Sequence, residues 1–448
     1  MRRENMGLTE KVLWSMGLGI IAGLLINLGG FNAEGSFVND YIVGGLFYVI
    51  GKMFITAFKM LVVPLVFFSL ISGVFGIGDI GKLGKVGVKS FALYMMTTAV
   101  AIAVAIGIAS LVIPLFSAPT AAAAVFTAKE APPLSDVLIN IIPGNIIEAF
   151  ATGNMLQIIF FSILLGISLL MVGKKAESIA EGVEVLNEAM MKMVTIIMAT
   201  APVAVFALLA KAVSELGLEL LAQLAVYVIV VVAALLLHLL GTLMLLFRFF
   251  TKLNPLIFLQ KMRDVQVFAF STSSSNATIP VTLRSVTKRL GVDNSVASFT
   301  VPFGATINMD GTAIMQGVAT VFIAQLYGVE LGILGYLTVI LMSVLASIGT
   351  AGVPGVGLIM LSMVFVQVGL PVEGIGLILG VDRLLDMLRT AVNVTGDAVV
   401  STIVAKSEDE LDIGVYLDRE AGSVEVPEID DEVEEEFAEV VHRAEEKA

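Results

Sequence analysis

The chain has 448 residues, 57% hydrophobic and only 15% charged, with a mean hydropathy of +0.97; soluble domains carry about 25% charged residues, so composition excludes an ordinary soluble enzyme or a nucleic-acid-binding module. Cysteine is absent, which excludes disulfides and thiolate metal sites. The net charge of −13 is concentrated at the C-terminal end: residues 407–448 hold 17 Asp and Glu against Arg419, Arg443 and Lys447, and the chain before them is close to neutral.

Apolar stretches long enough for the roughly 20 residues of a transmembrane helix run over 13–29, 41–73, 88–116, 137–172, 187–210, 220–247, 294–326 and 374–405. The first serves as a membrane anchor and needs no cleavable leader. Basic residues cluster in alternate connections: Arg2, Arg3 and Lys11; Lys82, Lys85 and Lys89; Lys174 and Lys175; Arg248, Lys252, Lys261 and Arg263. The intervening connections, near Glu34 and Asp40, Glu130 and Asp136, and Glu215 and Glu219, are neutral or acidic. The positive-inside rule then puts both termini in the cytoplasm of a multi-pass protein of the cell membrane, embedded in lipid.

Residues 76–82 read Gly, four residues, Gly, Lys, but Leu83 stands where a phosphate-binding loop needs Ser or Thr. His238 lies in an apolar helix and His442 in the tail, so zinc ligation and a histidine base have no support, and His238 is expected to be buried or interfacial without chemistry.

Two segments break the alternation. Pro255 to Leu290 has basic residues at both ends and a polar centre, Ser271 to Asn276, that leaves each arm too short to cross. It is expected to be a re-entrant hairpin entering from the cytoplasm. Leu331 to Pro371 is split by Ser347, Ile348, Gly349, Thr350, Ala351, Gly352, Val353, Pro354 and Gly355, with Glu330 and Glu373 at its outer ends; it is expected to enter from outside. A long span follows each, an inverted repeat of the kind that places a transporter's site near the midplane. The seventh span is broken by Asn308, Met309, Asp310 and Gly311, and non-helical backbone at that depth survives only in protein or beside a cavity. The expected fold is all-α and polytopic: eight transmembrane helices, two re-entrant helical hairpins and a broken helix 7.

In the last span Asp382, Asp386, Arg389, Asn393 and Asp397 are spaced 4, 3, 4 and 4 apart and so fall within roughly 80° of one another on a helix. An ionised group at bilayer depth costs roughly 2.5 to 3.5 kcal/mol, so this stripe faces protein or water and marks a site. Asn308, Asp310, Asn393 and Asp397 offer the hard oxygens that sodium prefers. Arg389 supplies a planar fork for a carboxylate, Asp386 a partner for an ammonium, and the helix N-termini at the hairpin tips favour a second carboxylate. These parts describe an acidic amino acid bound with cations. An ion channel and an intramembrane serine hydrolase are the alternatives from other classes; no histidine near the serines supports the second.

The serine-rich tip (Ser273 to Pro280), Asn308 to Thr312, Ser347 to Gly355 and Asp382 to Asp397 occur in the order and spacing of the dicarboxylate/amino acid:cation symporter family, which the chain resembles over residues 10–406. The resemblance implies a homotrimer and an elevator-type alternating-access mechanism. Scaffold helices 1 and 2 (1–87) and 4 and 5 (117–215) stay fixed, while helix 3 (88–116) and a transport domain (216–406) carry the site; an acidic, disordered cytoplasmic tail (407–448) follows. Matched position by position, Arg389 holds the substrate's side-chain carboxylate, Asp386 its ammonium, and Asn393, Thr390 and Thr312 its other polar atoms beside Met309. Ser274 and Ser275 take the α-carboxylate, and Val353 and Gly357 close from the second hairpin. Three sodium sites are implied: Gly304, Asn308, Asn393 and Asp397; Thr306, Ser347, Ile348 and Thr350; and Tyr94, Thr97, Thr98, Asn308 and Asp310. Gln316 departs from the glutamate of potassium-coupled members, Ser273 and Met387 stand where relatives often carry an arginine, and Arg383 receives no role. The expected activity is sodium-coupled uptake of aspartate or glutamate, with proton-coupled glutamate or C4-dicarboxylate transport as the alternative.

Overall fold

The computed structural model describes residues 8–33, 35–75, 80–116, 139, 141–348, 350 and 352–422. Arg2, Arg3, Glu34, Gly76 to Asp79, Glu130, Asp136, Gly349, Ala351 and the acidic tail beyond residue 422 lie outside the described residues. The described chain is helical with no strand, an all-α architecture with long apolar helices. The N-terminal half comprises α1 (Leu8–Leu28), α2 (Tyr48–Phe75, preceded by π-helical turns over Val38–Phe47), α3 (Ile80–Phe116), α4 (Ile146–Thr152), α5 (Met155–Val172) and α6 (Glu177–Ala199). A long α7 (Ala201–Leu237) runs through a π-helical turn, His238–Leu243, into α8 (Met244–Thr251). The C-terminal half comprises α9 (Pro255–Thr272), α10 (Ser275–Lys288), α11 (Asn294–Ile307), α12 (Asp310–Leu326), α13 (Gly332–Ile348), α14 (Val356–Gln367), α15 (Ile375–Ser407) and the short α16 (Ile413–Leu417).

Among the described residues five stretches are long and apolar enough to cross a membrane: Glu10–Leu28, Val38–Ser72, Lys85–Phe116, Gln157–Ala199 and Ala201–Thr251. Their outward faces carry large apolar side chains, including Leu25, Leu111, Leu115, Met171 and Ile229, as lipid contact requires. The broken pair α11–α12 and the charged α15 fall outside that group, because their sequences serve one another rather than lipid.

Span boundaries differ from hydropathy in two places. From residue 141 on, the stretch expected over 137–172 holds two helices, α4 and α5: Asn145 caps α4 by accepting from the backbone N–H of Ile147 at 3.0 Å, and Gly153 ends it at φ 70°. The spans expected over 187–210 and 220–247 meet at Gly217, whose φ of 65° and ψ of −149° interrupt α7. A left-handed turn there suits glycine and leaves the hydropathy unchanged.

α9 and α10 pack as an antiparallel pair about Ser273 (φ 51°), and α13 and α14 form a second pair. The α9–α10 pair, α14, α3, α7, α11 and α12 surround α15, while α1 and α2 pack on α7. Residues 408–422 fold back on the base of the α9–α10 pair. Asp412 N donates to Gly291 O at 2.8 Å, Asp293 N to Glu410 O at 2.9 Å, and the Tyr416 hydroxyl to Asn254 O at 2.8 Å.

Candidate functional site

The α11–α12 break and the last span define one polar centre. Asn308 (φ −89°, ψ 85°) and Met309 (φ −111°, ψ 48°) leave helical geometry, as asparagine and aspartate favour at helix ends rather than interiors. The freed groups are stitched to α15: Asn308 Nδ2 donates to Asp397 Oδ1 at 2.9 Å and to Asn393 O at 3.2 Å, and Gly311 N donates to Asn393 Oδ1 at 2.7 Å. Met309 is buried, with its sulfur 3.3 Å from Asn393 Nδ2. Close approach depends on glycine. A Cβ on Gly311 would lie 2.6 Å from Arg389 O, and one on Gly304 would lie 2.5 Å from Asp397 Oδ1 and 2.7 Å from the Tyr94 hydroxyl.

Asp310 opens α12 and is fully buried. Its Oδ1 accepts from Thr98 Oγ1 at 2.6 Å and Thr97 Oγ1 at 3.3 Å, and Thr97 Oγ1 is also 3.4 Å from Asn308 Oδ1. Thus Thr97, Thr98, Asn308 and Asp310 are brought together. Tyr94 packs beside Gly304 but donates to Thr300 O at 2.9 Å, away from that oxygen cluster. His238 is the functional candidate that sequence reasoning missed: it is buried, with Nε2 3.0 Å from Asp310 Oδ2. Among the described residues no lysine or arginine pairs with Asp310 or Asp397, and no cluster of three or more His, Cys, Asp or Glu forms. Two buried carboxylates among amide and hydroxyl oxygens make an environment for a hard cation rather than a transition metal.

One to two turns N-terminal along α15, Arg389 is 1% exposed. Its guanidinium donates to Asp382 Oδ1 at 2.7 Å and Asp386 Oδ1 at 2.8 Å, and Arg383 pairs with Asp386 Oδ2 at 3.6 Å. Asp386 therefore faces two arginines in this arrangement. Thr390 donates to its own helix at Asp386 O, 2.8 Å away. A Cβ on Gly357 would lie 3.0 Å from Thr312 Cγ2 and 3.9 Å from Arg389 Nη2, so α14 begins directly over the arginine. Val353 is part-buried in the adjoining turn.

The two hairpin tips meet. Ser274 caps α10 by accepting from Ala277 N at 3.2 Å while donating to Gly352 O at 2.7 Å, and Asn276 N donates to the same carbonyl at 3.1 Å. A Cβ on Gly352 would meet Ser275 Cβ and Ala305 O, both at 2.9 Å. The second expected cation set is less joined. Thr306, Ser347 and Thr350 each donate to a nearby backbone carbonyl, of Phe303, Val344 and Ala346 respectively, and Ile348, next to Ser347, is buried.

A bundle of apolar helices around a buried row of carboxylates, an arginine fork and two apposed helical turns defines a membrane transporter for a polar solute rather than an enzyme. The chain belongs to the sodium:dicarboxylate symporter family, whose model matches residues 8–407. It is 34% identical over 406 residues to a proton/sodium-glutamate symport protein of Bacillus caldotenax, covering 89% of this chain and 94% of the relative. It is 34% identical over 424 residues to a proton/glutamate-aspartate symporter of Escherichia coli (strain K12), covering 92% and 95%. A C4-dicarboxylate transport protein of Bacillus subtilis (strain 168) is 32% identical over 422 residues, covering 90% and 94%.

Proposed function

We propose that the protein is a sodium-coupled symporter of acidic amino acids, aspartate and glutamate, working by an elevator-type mechanism as a homotrimer with both termini cytoplasmic. The observation that carries the reading is the buried Arg389 fork beside Thr312 and Gly357, close to Asp397 on the same helix and to Asp310 at the start of α12, two carboxylates that among the described residues no basic side chain but His238 approaches. The fork binds the substrate's distal carboxylate, and Asp386, released from Arg389 as the substrate enters, takes the ammonium. The α-carboxylate lies at Ser274 and Ser275, with Asn393, Thr390, Thr312, Met309 and Val353 completing the pocket. Sodium ions at the Asp310 and Asp397 clusters, and at Thr306, Ser347, Ile348 and Thr350, offset the cost of burying carboxylates. Substrate and sodium then raise each other's affinity, as linkage requires.

Eight spans, two re-entrant hairpins and an inverted repeat accommodate this site: α9–α10 enters from the cytoplasm and α13–α14 from outside. The elevator reading is supported by the seam between α1, α2, α6 and α7 on one side and α14 and α15 on the other. There Gly355 abuts Met198, Gly376 abuts Leu208 and Gly380 abuts Leu209, a smooth face against side chains. Glu373, in the turn read as extracellular, pairs with Lys52 at 2.7 Å and Lys59 at 3.6 Å. Lys52 is 14 residues beyond Val38, the outer start of that span, roughly 20 Å down a helix. At the other end Asp382, Arg383 and Asp386 share a cleft with Leu8 and Val12 at the start of α1. The site-bearing unit is drawn toward the cytoplasm.

Purified protein in liposomes is expected to accumulate aspartate and glutamate under an inward sodium gradient and not under a proton gradient alone. Accumulation driven by protons without sodium would establish the proton-coupled alternative. Preference for succinate would establish the dicarboxylate one, since succinate leaves Asp386 without an ammonium partner.

A further inference from the structure

His238 stands on the π-helical turn that joins α7 to α8, where the helix is locally widened; such turns recur at functional sites. The turn aims its imidazole inward at 1% exposure, so that Nε2 lies 3.0 Å from Asp310 Oδ2 while Nδ1 has no partner. An ionised carboxylate only accepts, so Nε2 carries the hydrogen. This bond divides the two oxygens of Asp310 between two tasks. Oδ2 is held by His238, and Oδ1 turns to Thr97, Thr98 and, through Thr97, to Asn308 Oδ1. The Thr97 hydroxyl also reaches Tyr94 O at 3.0 Å, an acceptor that takes its proton when its lone pairs face a cation.

We infer that His238 is a positioning residue for the cation site at Asp310: its Nε2–H holds Oδ2 so that Oδ1 is presented, already oriented, with the oxygens of Thr97, Thr98 and Asn308. The inference rests on the proposed sodium coupling. A terminal carboxylate torsion is broad and roughly two-fold, and without the imidazole Oδ2 is a buried acceptor lacking its donor. The carboxylate then rotates, and the cation meets a disordered ligand. Partners that orient a metal ligand in this way typically change metal affinity by about 10- to 100-fold when removed.

The test is a sodium titration of aspartate binding by calorimetry, joined to sodium-dependent thermal stabilisation without aspartate. His238→Leu is expected to raise the half-saturating sodium concentration at least about tenfold, with aspartate affinity at saturating sodium within about twofold of the parent. His238→Gln, whose amide reaches the same position, is expected to restore sodium activation to within about threefold. His238→Leu with parental sodium activation overturns the inference. Should His238→Leu fail to fold, His238→Gln is compared with the shorter His238→Asn; equal sodium activation in that pair overturns the inference as well. Parent protein whose aspartate binding ignores sodium sinks the sodium reading itself, which separates that failure from failure of the His238 assignment alone.

Discussion

At Arg389 the arrangement makes a sharp demand. Its Nη1 and Nη2 hold Asp382 and Asp386 while its buried Nε–H has no partner, so an open donor waits beside two carboxylates that a substrate carboxylate competes with. Arg389→Cys is therefore expected to abolish uptake of aspartate while leaving the protein folded; unchanged aspartate affinity in a binding titration would refute the assignment. Gly304 makes a steric demand instead, because an added methyl lands on Asp397 and the Tyr94 hydroxyl. Overpacking of that kind costs about 1 to 3 kcal/mol, and Gly304→Ala is expected to raise the sodium concentration needed for half-maximal aspartate binding about tenfold. The row from Asp382 to Asp397 was legible in the chain because helical spacing and the cost of charge in lipid leave one orientation open to it. His238 was not legible: its partner is 72 residues away, and a lone histidine on an apolar helix carries no spacing signal.

Helices were legible where hydropathy ran unbroken and illegible where a cap or a single backbone angle cut them. Asn145, Gly153 and Gly217 end or bend helices without altering local hydrophobicity, whereas the Asn308 to Gly311 break announced itself because polar residues interrupt an apolar run. Composition also assigned residues 408–422 to the acidic extension, yet they fold against the α9–α10 pair. There Lys261 is buried and donates to Arg289 O at 2.5 Å and Val415 O at 2.7 Å, with its ammonium 5.6 Å from the centre of the Tyr416 ring. Lys261→Met leaves two carbonyls without a donor, at about 1 to 3 kcal/mol each. The expected result is a lowered melting temperature together with faster amide exchange over 411–417, and unchanged exchange there would show that the ammonium does not secure the clasp.

For the whole molecule the testable quantity is the relative displacement that the proposed elevator mechanism requires. The chain has no cysteine, so Lys52→Cys and Glu373→Cys introduce the only two thiols. A short bis-methanethiosulfonate reagent joining them is expected to halt uptake, with recovery on reduction. Uptake that survives complete cross-linking would rule out a sliding unit. How the two sets of helices dock was not readable from sequence, because the pairing of Glu373 with Lys52 spans 321 residues and depends on the conformation captured.

The clasp formed by Tyr416 and Lys261 ties residues 411–417 to the α9–α10 pair. If that pair travels as the proposed elevator requires, a reporter fused after Gly422 shares the ride: a dye there registers each stroke as a change in depth, and a bulky domain there adds hydrodynamic drag to every turnover.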